Sequence, residues 1–365
     1  MALKVAIVGL PNVGKSTLFN AVTQTAAAQA ANYPFCTIEP NVGEVAVPEP
    51  RLDALARIAK SKQIIPARII FVDVAGLVRG AAQGEGLGNR FLAAIRDCDA
   101  VALVARCFED GEVTHVEGRV DPLSDLDIID TELMLADLES LEKRLPALEK
   151  RAKGADKEAA AALRLARSAL GELNAGRPAR AAKVDDDDEK AWRMLQLLTA
   201  KPALYVCNVD EDSAAGGNAL SALVAGRAAR DGAKAVVISA KIEAEIAVLA
   251  PAERREFLET LDLAEPGLER LIREAYALLG LQTYFTAGPK EARAWTIPVG
   301  ATAPQAAGVI HTDFEKGFIR AETIAFADYV ALGGEVGARD AGKLRSEGKD
   351  YVVRDGDVMD FRFNV

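Results

Sequence analysis

Gly9-Leu10-Pro11-Asn12-Val13-Gly14-Lys15-Ser16-Thr17 follows the apolar run Val5-Ala6-Ile7-Val8 and leads into a helical pattern of Leu18, Phe19, Ala21 and Val22. A phosphate-binding loop needs this setting, a buried strand before the glycines and a helix after them. Gly9 and Gly14 permit the tight turn that points backbone N–H groups at phosphate oxygens, and the helix starting near Lys15 adds the positive end of its dipole. Lys15 then reaches the β- and γ-phosphates, and the Ser16 hydroxyl is the expected Mg²⁺ ligand. The stretch therefore predicts a nucleoside triphosphate bound at the first strand-to-helix turn.

Working outward, 365 residues leave room for two or three domains, and an apolar fraction of 50% with 27% charged residues is that of a globular protein. No apolar stretch approaches a membrane span, and Met1-Ala2-Leu3-Lys4 runs straight into the first strand without space for a signal peptide. A cytoplasmic location is the expectation. The net charge of −10 argues against broad nucleic-acid binding by the whole molecule and leaves open a local basic face. Cys36, Cys98, Cys107 and Cys207 form no C-x-x-C pair, which points to buried thiols rather than a disulfide framework or a zinc site. Cys36 lies beside an expected nucleotide contact and could make the site sensitive to oxidation.

Strand-like runs recur at Arg68–Val72, Ala100–Ala105, Ala203–Val206 and Ala235–Ile238, with helix-like segments between several of them. The alternation predicts a doubly wound, mainly parallel α/β sheet, whose ligands collect at the carboxyl ends of the strands. From about 130 to 199 the composition shifts to Ala, Leu, Glu, Lys and Arg, with leucines at 133, 138, 141, 145 and 148 and a break at Lys153-Gly154-Ala155. Two inserted antiparallel helices, a short coiled-coil hairpin, are expected there, the second ending at Asn174-Ala175-Gly176. The acidic run Asp185–Asp188 is expected to cap a further helix through Trp192 and Leu195. After Pro266 a helix over Leu268–Leu279 precedes strand candidates at Gln282–Thr286, Ala292–Val299 and Val358–Val365, with a turn at Asp355-Gly356-Asp357. This reads as a separate small α+β domain.

Asp73-Val74-Ala75-Gly76 follows the strand ending at Val72 and gives a D-x-x-G sensor. Asp73 is expected to hold Mg²⁺ through water and the Gly76 N–H to contact the γ-phosphate, while Gly80, Gly84, Gly86 and Gly88 let the following loop order only on the triphosphate. Thr37, in the irregular Asn32–Thr37 stretch before a strand candidate at Glu44–Val47, is the expected second hydroxyl on Mg²⁺. At the base-reading position, Asn208-Val209-Asp210-Glu211 stands where guanine-selective proteins carry N-K-x-D. Glu211 displaces the carboxylate by one methylene, which a bidentate pair with guanine tolerates poorly, so ATP is favoured and GTP stays open as the competitor. Ser239-Ala240-Lys241 fits the loop that closes over the base through backbone contacts.

On these residues the chain resembles the YchF family of Obg-like ATPases. The likeness spans nearly the whole sequence: the P-loop, Asn32–Asn41, the glycine-rich loop from Asp73 to Asn89, the N-x-x-E variant, and the block from Gln282 to Val365. In that block, Tyr284–Gly288 and His311–Phe318 look like the family's TGS domain, a β-grasp fold. The resemblance implies a nucleotide domain over 1–279, with its helical insertion, and a TGS domain over 280–365. It implies ATP hydrolysis in preference to GTP, Mg²⁺ dependence and association with ribosomes. It carries nucleotide contacts to Asn12, Val13, Gly14, Lys15, Ser16 and Thr17, metal ligation to Ser16 and Thr37, and adenine reading to Asn208 with the Val209 backbone.

Hydrolysis needs a group to orient water, and the position after D-x-x-G is Leu77, which cannot hydrogen-bond. His115, in the polar stretch after the strand at Ala100–Ala105, is one candidate, with a solvated loop histidine as the alternative reading. A K⁺ ion held near Asn12, or a partner, is another source of charge stabilisation. The readings are an ATP-hydrolysing switch, a GTPase of the same fold, or a nucleotide-gated adaptor that binds ribosomes or RNA through the TGS domain and helical insertion. His311, remote from the nucleotide motifs, is read as structural or as part of such a surface.

Overall fold

The computed structural model describes residues 3–30, 41–74, 87–111, 115–154 and 156–364. The chain opens with β1 (Leu3–Val8), α1 (Lys15–Ala30), β2 (Val42–Ala46), α2 (Pro50–Ala59), β3 (Gln63–Ile65), β4 (Arg68–Asp73), α3 (Leu87–Arg96) and β5 (Ala100–Arg106). A helical stretch follows, with α4 (Pro122–Lys153), α5 (Lys157–Asn174) and α6 (Glu189–Met194), then β6 (Ala203–Asn208), α7 (Ala219–Arg230), β7 (Lys234–Ile238), α8 (Ala240–Ile246), α9 (Pro251–Thr260) and α10 (Gly267–Leu278). The C-terminal part holds β8 (Leu281–Ala287), β9 (Glu291–Pro298), α11 (Ala303–Ile310), α12 (Thr312–Lys316), β10 (Phe318–Ala325), α13 (Phe326–Ala331), α14 (Glu335–Asp340), β11 (Arg345–Glu347) and β12 (Asp357–Phe363).

Two compact units result. One contains Ile70–Leu271 with β1 and the start of α1; the other contains Glu44–Ile69 and Ile272–Val365. The first carries a six-stranded sheet in the order β2-β4-β1-β5-β6-β7. β1 pairs in parallel with β5, β5 with β6, and β6 with β7. Every residue of β5 and β6 is buried, as in central strands covered on both faces, and their unbroken apolar runs are that burial written in sequence. Parallel pairing also aligns the carboxyl ends of β1, β5, β6 and β7 along one edge. The doubly wound sheet is as the sequence predicts.

The helical hairpin is present, and α4 begins earlier than the leucine spacing suggests. Asp121 caps it by accepting the Ser124 N–H at 3.2 Å, and Pro122 occupies the first helical position, where its missing N–H costs nothing. Leu141 packs with Leu165, Ala166, Ala169 and Leu173 along the seam, flanked by Leu138, Leu145 and Leu148. Asp156 caps α5 through the Ala159 N–H. The acidic run departs from expectation: Asp188 precedes α6 but makes no side-chain cap bond, and pairs instead with Arg164 of α5. A guanidinium within reach competes successfully with exposed backbone N–H groups.

Buried polar bonds root the hairpin. Asp137, fully buried, accepts the backbone N–H groups of Leu198 and Thr199, each at 2.8 Å, and the Thr199 hydroxyl at 2.7 Å. Arg227 of α7 reaches Asp127 at 2.5 Å and Asp130 at 2.6 Å on α4.

In the second unit the sheet order is β11-β10-β12-β8-β9-β3. β8 and β12 pair in parallel at its centre, while β8–β9 and β10–β12 are antiparallel. Helix α11 contributes Ala303, Ala306 and Ala307 to a core with Tyr284, Phe361 and Ile297, and the Tyr284 hydroxyl donates to Ala306 O at 2.9 Å. This is a β-grasp arrangement. β3 adds to the edge at β9 in parallel, and α2 packs on β8 and β9. Arg51 at the start of α2 lies 5.2 Å from the Phe285 ring centroid and pairs with Glu49 and Asp355, each at 2.6 Å. Helix α2 and strand β3 therefore fold with the C-terminal unit although 200 or so residues separate them in sequence.

Replacing Asp137 by Ala strands two buried N–H groups and a hydroxyl, for an expected loss of roughly 3 kcal/mol or more. The urea midpoint of the first unit, followed by tryptophan fluorescence at Trp192, should fall accordingly.

Candidate nucleotide-binding site

The loop after β1 takes its shape from close approach. An ideal Cβ at Gly14 would lie 2.1 Å from Asn208 Nδ2, and the backbone there has φ of +93°, so only glycine fits. A Cβ on Gly9 would lie 2.7 Å from Val104 O of β5. Asn12 sits at φ 61°, a left-handed position asparagine tolerates better than most side chains. Lys15 is 6% exposed, and its ammonium donates back to Leu10 O at 2.5 Å. Burial lowers the Lys15 pKa to about 8, against the pull of Asp73, while burial raises that of Asp73 against the pull of Lys15. Ser16 and Thr17 are exposed and line a cleft of about 440 Å³.

Asn208, 4% exposed at the end of β6, joins the two ends of this cleft. Its Nδ2 donates to Val13 O at 2.9 Å, and its Oδ1 accepts the Ala240 N–H at 2.9 Å. One amide thus fixes both the P-loop and the loop after β7, and one Nδ2 hydrogen is left beyond the Val13 bond. The Val209 N–H donates to Ile238 O at 2.9 Å, placing the 208–211 turn against the end of β7. Glu211 forms an ion pair with Lys241 across the cleft mouth, and this hydrogen bond holds its carboxyl below the ordinary range. Ser239 is buried with its hydroxyl unpartnered among the described residues.

The cleft has a further wall that motif reasoning missed. Phe108, Glu109 and Asp110, directly after β5, line it with Asn12, Lys15, Asn208, Val209, Asp210 and Lys241. The available signal was positional, since this turn follows a central parallel strand at its carboxyl end.

Thr37, Gly76, Leu77 and Cys36 lie outside the described residues. Asp73, at the end of β4, has a buried Oδ1 with no partner among the described residues. An acceptor oxygen left over beside a buried lysine, together with the open Ser16 hydroxyl, is a donor set suited to a hard cation and its water ligands. His115 is buried: Nδ1 accepts the Glu117 N–H at 3.1 Å, which puts the ring proton on Nε2, and Nε2 lies 2.9 Å from Asp125 Oδ2 on α4. It is not a solvated loop histidine; in this arrangement both nitrogens are engaged, and it does not stand free in the cleft. Cys98, Cys107 and Cys207 are free and buried.

A phosphate-binding turn, a lysine beneath it and an asparagine bracket to the base loop define a P-loop nucleotide-binding protein with an inserted helical hairpin. Residues 4–134 match the family described as 50S ribosome-binding GTPase, and residues 281–364 match the YchF GTPase C-terminal family, described as a protein of unknown function. The chain is 57% identical to the ribosome-binding ATPase YchF of Haemophilus influenzae and 52% identical to that of Bacillus subtilis, covering the full length of both chains in each case. It is also similar to the solved structure of the Schizosaccharomyces pombe YchF GTPase, with a TM-score of 0.87, 38% identity, and coverage of 99% of this chain and 97% of that one. The chain belongs to the YchF family.

Asn208→Ala leaves Val13 O and the Ala240 N–H without these bonds, and the P-loop loses the amide that ties it to the loop after β7. Calorimetric titration should show binding of both ATP and inorganic tripolyphosphate weakened by about tenfold or more.

Proposed function

We propose that this protein is a ribosome-associated, Mg²⁺-dependent ATPase that works as a nucleotide-controlled switch, converting ATP to ADP and phosphate in the cytoplasm. The observation that carries the choice of ATP is the Glu211–Lys241 ion pair. Guanine needs a free carboxylate at this position for its N1–H and N2–H₂ donors, and here the carboxylate stands one methylene too far out and is already engaged. Adenine has no N1–H donor and loses nothing by the substitution. The relatives named as ribosome-binding ATPases agree with this reading, whereas the fission yeast structure is titled a GTPase.

In this reading the backbone of Asn12 to Thr17 binds the phosphates, and Lys15 exchanges its bond to Leu10 O for the β- and γ-oxygens. Ser16 and Thr37 would ligate Mg²⁺ directly and Asp73 through water, and the bound ion supplies charge neutralisation between the two phosphates. Thr37 and Gly76 sense the γ-phosphate. Asn208 and the Val209 backbone, with Ser239 and Ala240, hold the base. His115 would orient the attacking water on giving up its bond to Asp125; the alternative source of charge stabilisation is a K⁺ ion, which Asn12 would hold, or a partner. The hairpin and the TGS unit face the ribosome. Over residues 143–167 the chain carries eight Lys and Arg against three Asp and Glu, a basic tip on an acidic protein, suited to RNA phosphates.

Multiple-turnover hydrolysis measured with ATP and GTP at equal concentration should show ATP preference and a rise on adding ribosomes. Clear GTP preference refutes the role given to Glu211, and a negligible rate in both conditions points to an adaptor. His115→Ala should lower ribosome-stimulated kcat by about tenfold or more with ATP affinity within about twofold of the native protein. An unchanged kcat would assign His115 only to fastening its segment to α4.

A further inference from the structure

Arg106, the last residue of β5, is 1% exposed and is the bulkiest fully buried side chain among the described residues. A guanidinium keeps its proton, so a permanent cation sits at the inner end of a central strand, an arrangement that needs compensating partners. Its Nε donates to Phe108 O at 3.2 Å and its Nη2 to Asp110 O at 3.4 Å. The guanidinium carbon lies 4.6 Å from the centroid of the Phe108 ring. Nη1 is buried with no hydrogen-bond partner among the described residues. One side chain therefore grips both ends of the strap 108–110 and lies against the ring that the strap carries.

All three strap residues line the nucleotide cleft. The strap leaves β5, which lies between β1, with its P-loop, and β6, which ends at Asn208. It is tied to the β6 end, since the Cys107 N–H donates to Asn208 O at 2.8 Å and Asn218 Nδ2 donates to Cys107 O at 2.7 Å. Glu109 and Asp110 are exposed, and two carboxylates repel a triphosphate while accepting from amino or hydroxyl groups. The phosphates thus belong at Lys15, and the strap belongs to the base and sugar. The half-buried Phe108 ring offers a face on which a purine can stack.

We infer that Arg106 is a positioning residue for nucleotide recognition: it fixes the Phe108–Asp110 strap as the wall against which the purine lies, without touching the ligand itself. The inference rests on the nucleotide-binding reading above and adds the residue that shapes its base-binding end. Lysine cannot replace it, because a single ammonium cannot hold two carbonyls in a planar fork and lie flat on a ring.

The test compares binding of MgATP and of inorganic tripolyphosphate, which has no base, by calorimetry on the full chain and on Arg106→Lys and Phe108→Ala. The expected result is a loss of about tenfold for MgATP in both variants, with tripolyphosphate within about twofold of the native protein. Unchanged MgATP binding in either variant overturns the inference. So does a parallel loss of both ligands in Arg106→Lys, including one caused by unfolding, because Arg106 would then merely support the fold. If the native protein prefers GTP, the ATP reading fails by itself, and the ratio of GTP to tripolyphosphate binding decides Arg106 in the same way.

Discussion

The arrangement of the nucleotide site depends on one buried amide. Asn208 receives the Ala240 N–H on its oxygen and donates to Val13 O from its nitrogen, so three loops from three strand ends share one rigid reference. Gly14 is glycine because Asn208 Nδ2 occupies the space where a side chain would begin. Parallel pairing of β1, β5, β6 and β7 makes this possible, since it delivers the loops after Val8, Arg106, Asn208 and Ile238 to the same edge.

Charge is distributed along the cleft by the same geometry. Lys15 is held deep, where burial weakens its proton and Asp73 restores part of that loss, so an incoming triphosphate meets a lysine short of a full partner. Toward the mouth the residues are acidic or already paired, with Glu109, Asp110, Asp210 and the Glu211–Lys241 pair. Arg106, buried beneath these residues, holds the Phe108–Asp110 strap through main-chain carbonyls.

The second unit draws on two distant parts of the sequence. The segment of α2 and β3 lies between β2 and β4 in sequence, and it folds with the C-terminal sheet through β3, α2 and Arg51. No compositional shift marks this segment. Its membership depends on a register with β9 and on an Arg51–Asp355 pair whose members stand 304 positions apart.

The P-loop, the parallel sheet and the helical hairpin were legible in sequence because each rests on local rules: glycine spacing, apolar run length and leucine periodicity within a helix. The substitution at Glu211 was legible for the same reason, as a change of one methylene at a fixed offset from Asn208. Tertiary structure alone decided what distant residues do to one another. It engaged His115 with Asp125, turned Asp188 from a helix cap into a partner of Arg164, and drew the Phe108–Asp110 strap into the cleft over a buried arginine. Local sequence fixes backbone conformation through short-range sterics and hydrogen bonding, whereas side-chain partnership depends on which strand ends the sheet brings together, and that is set by packing across the whole domain.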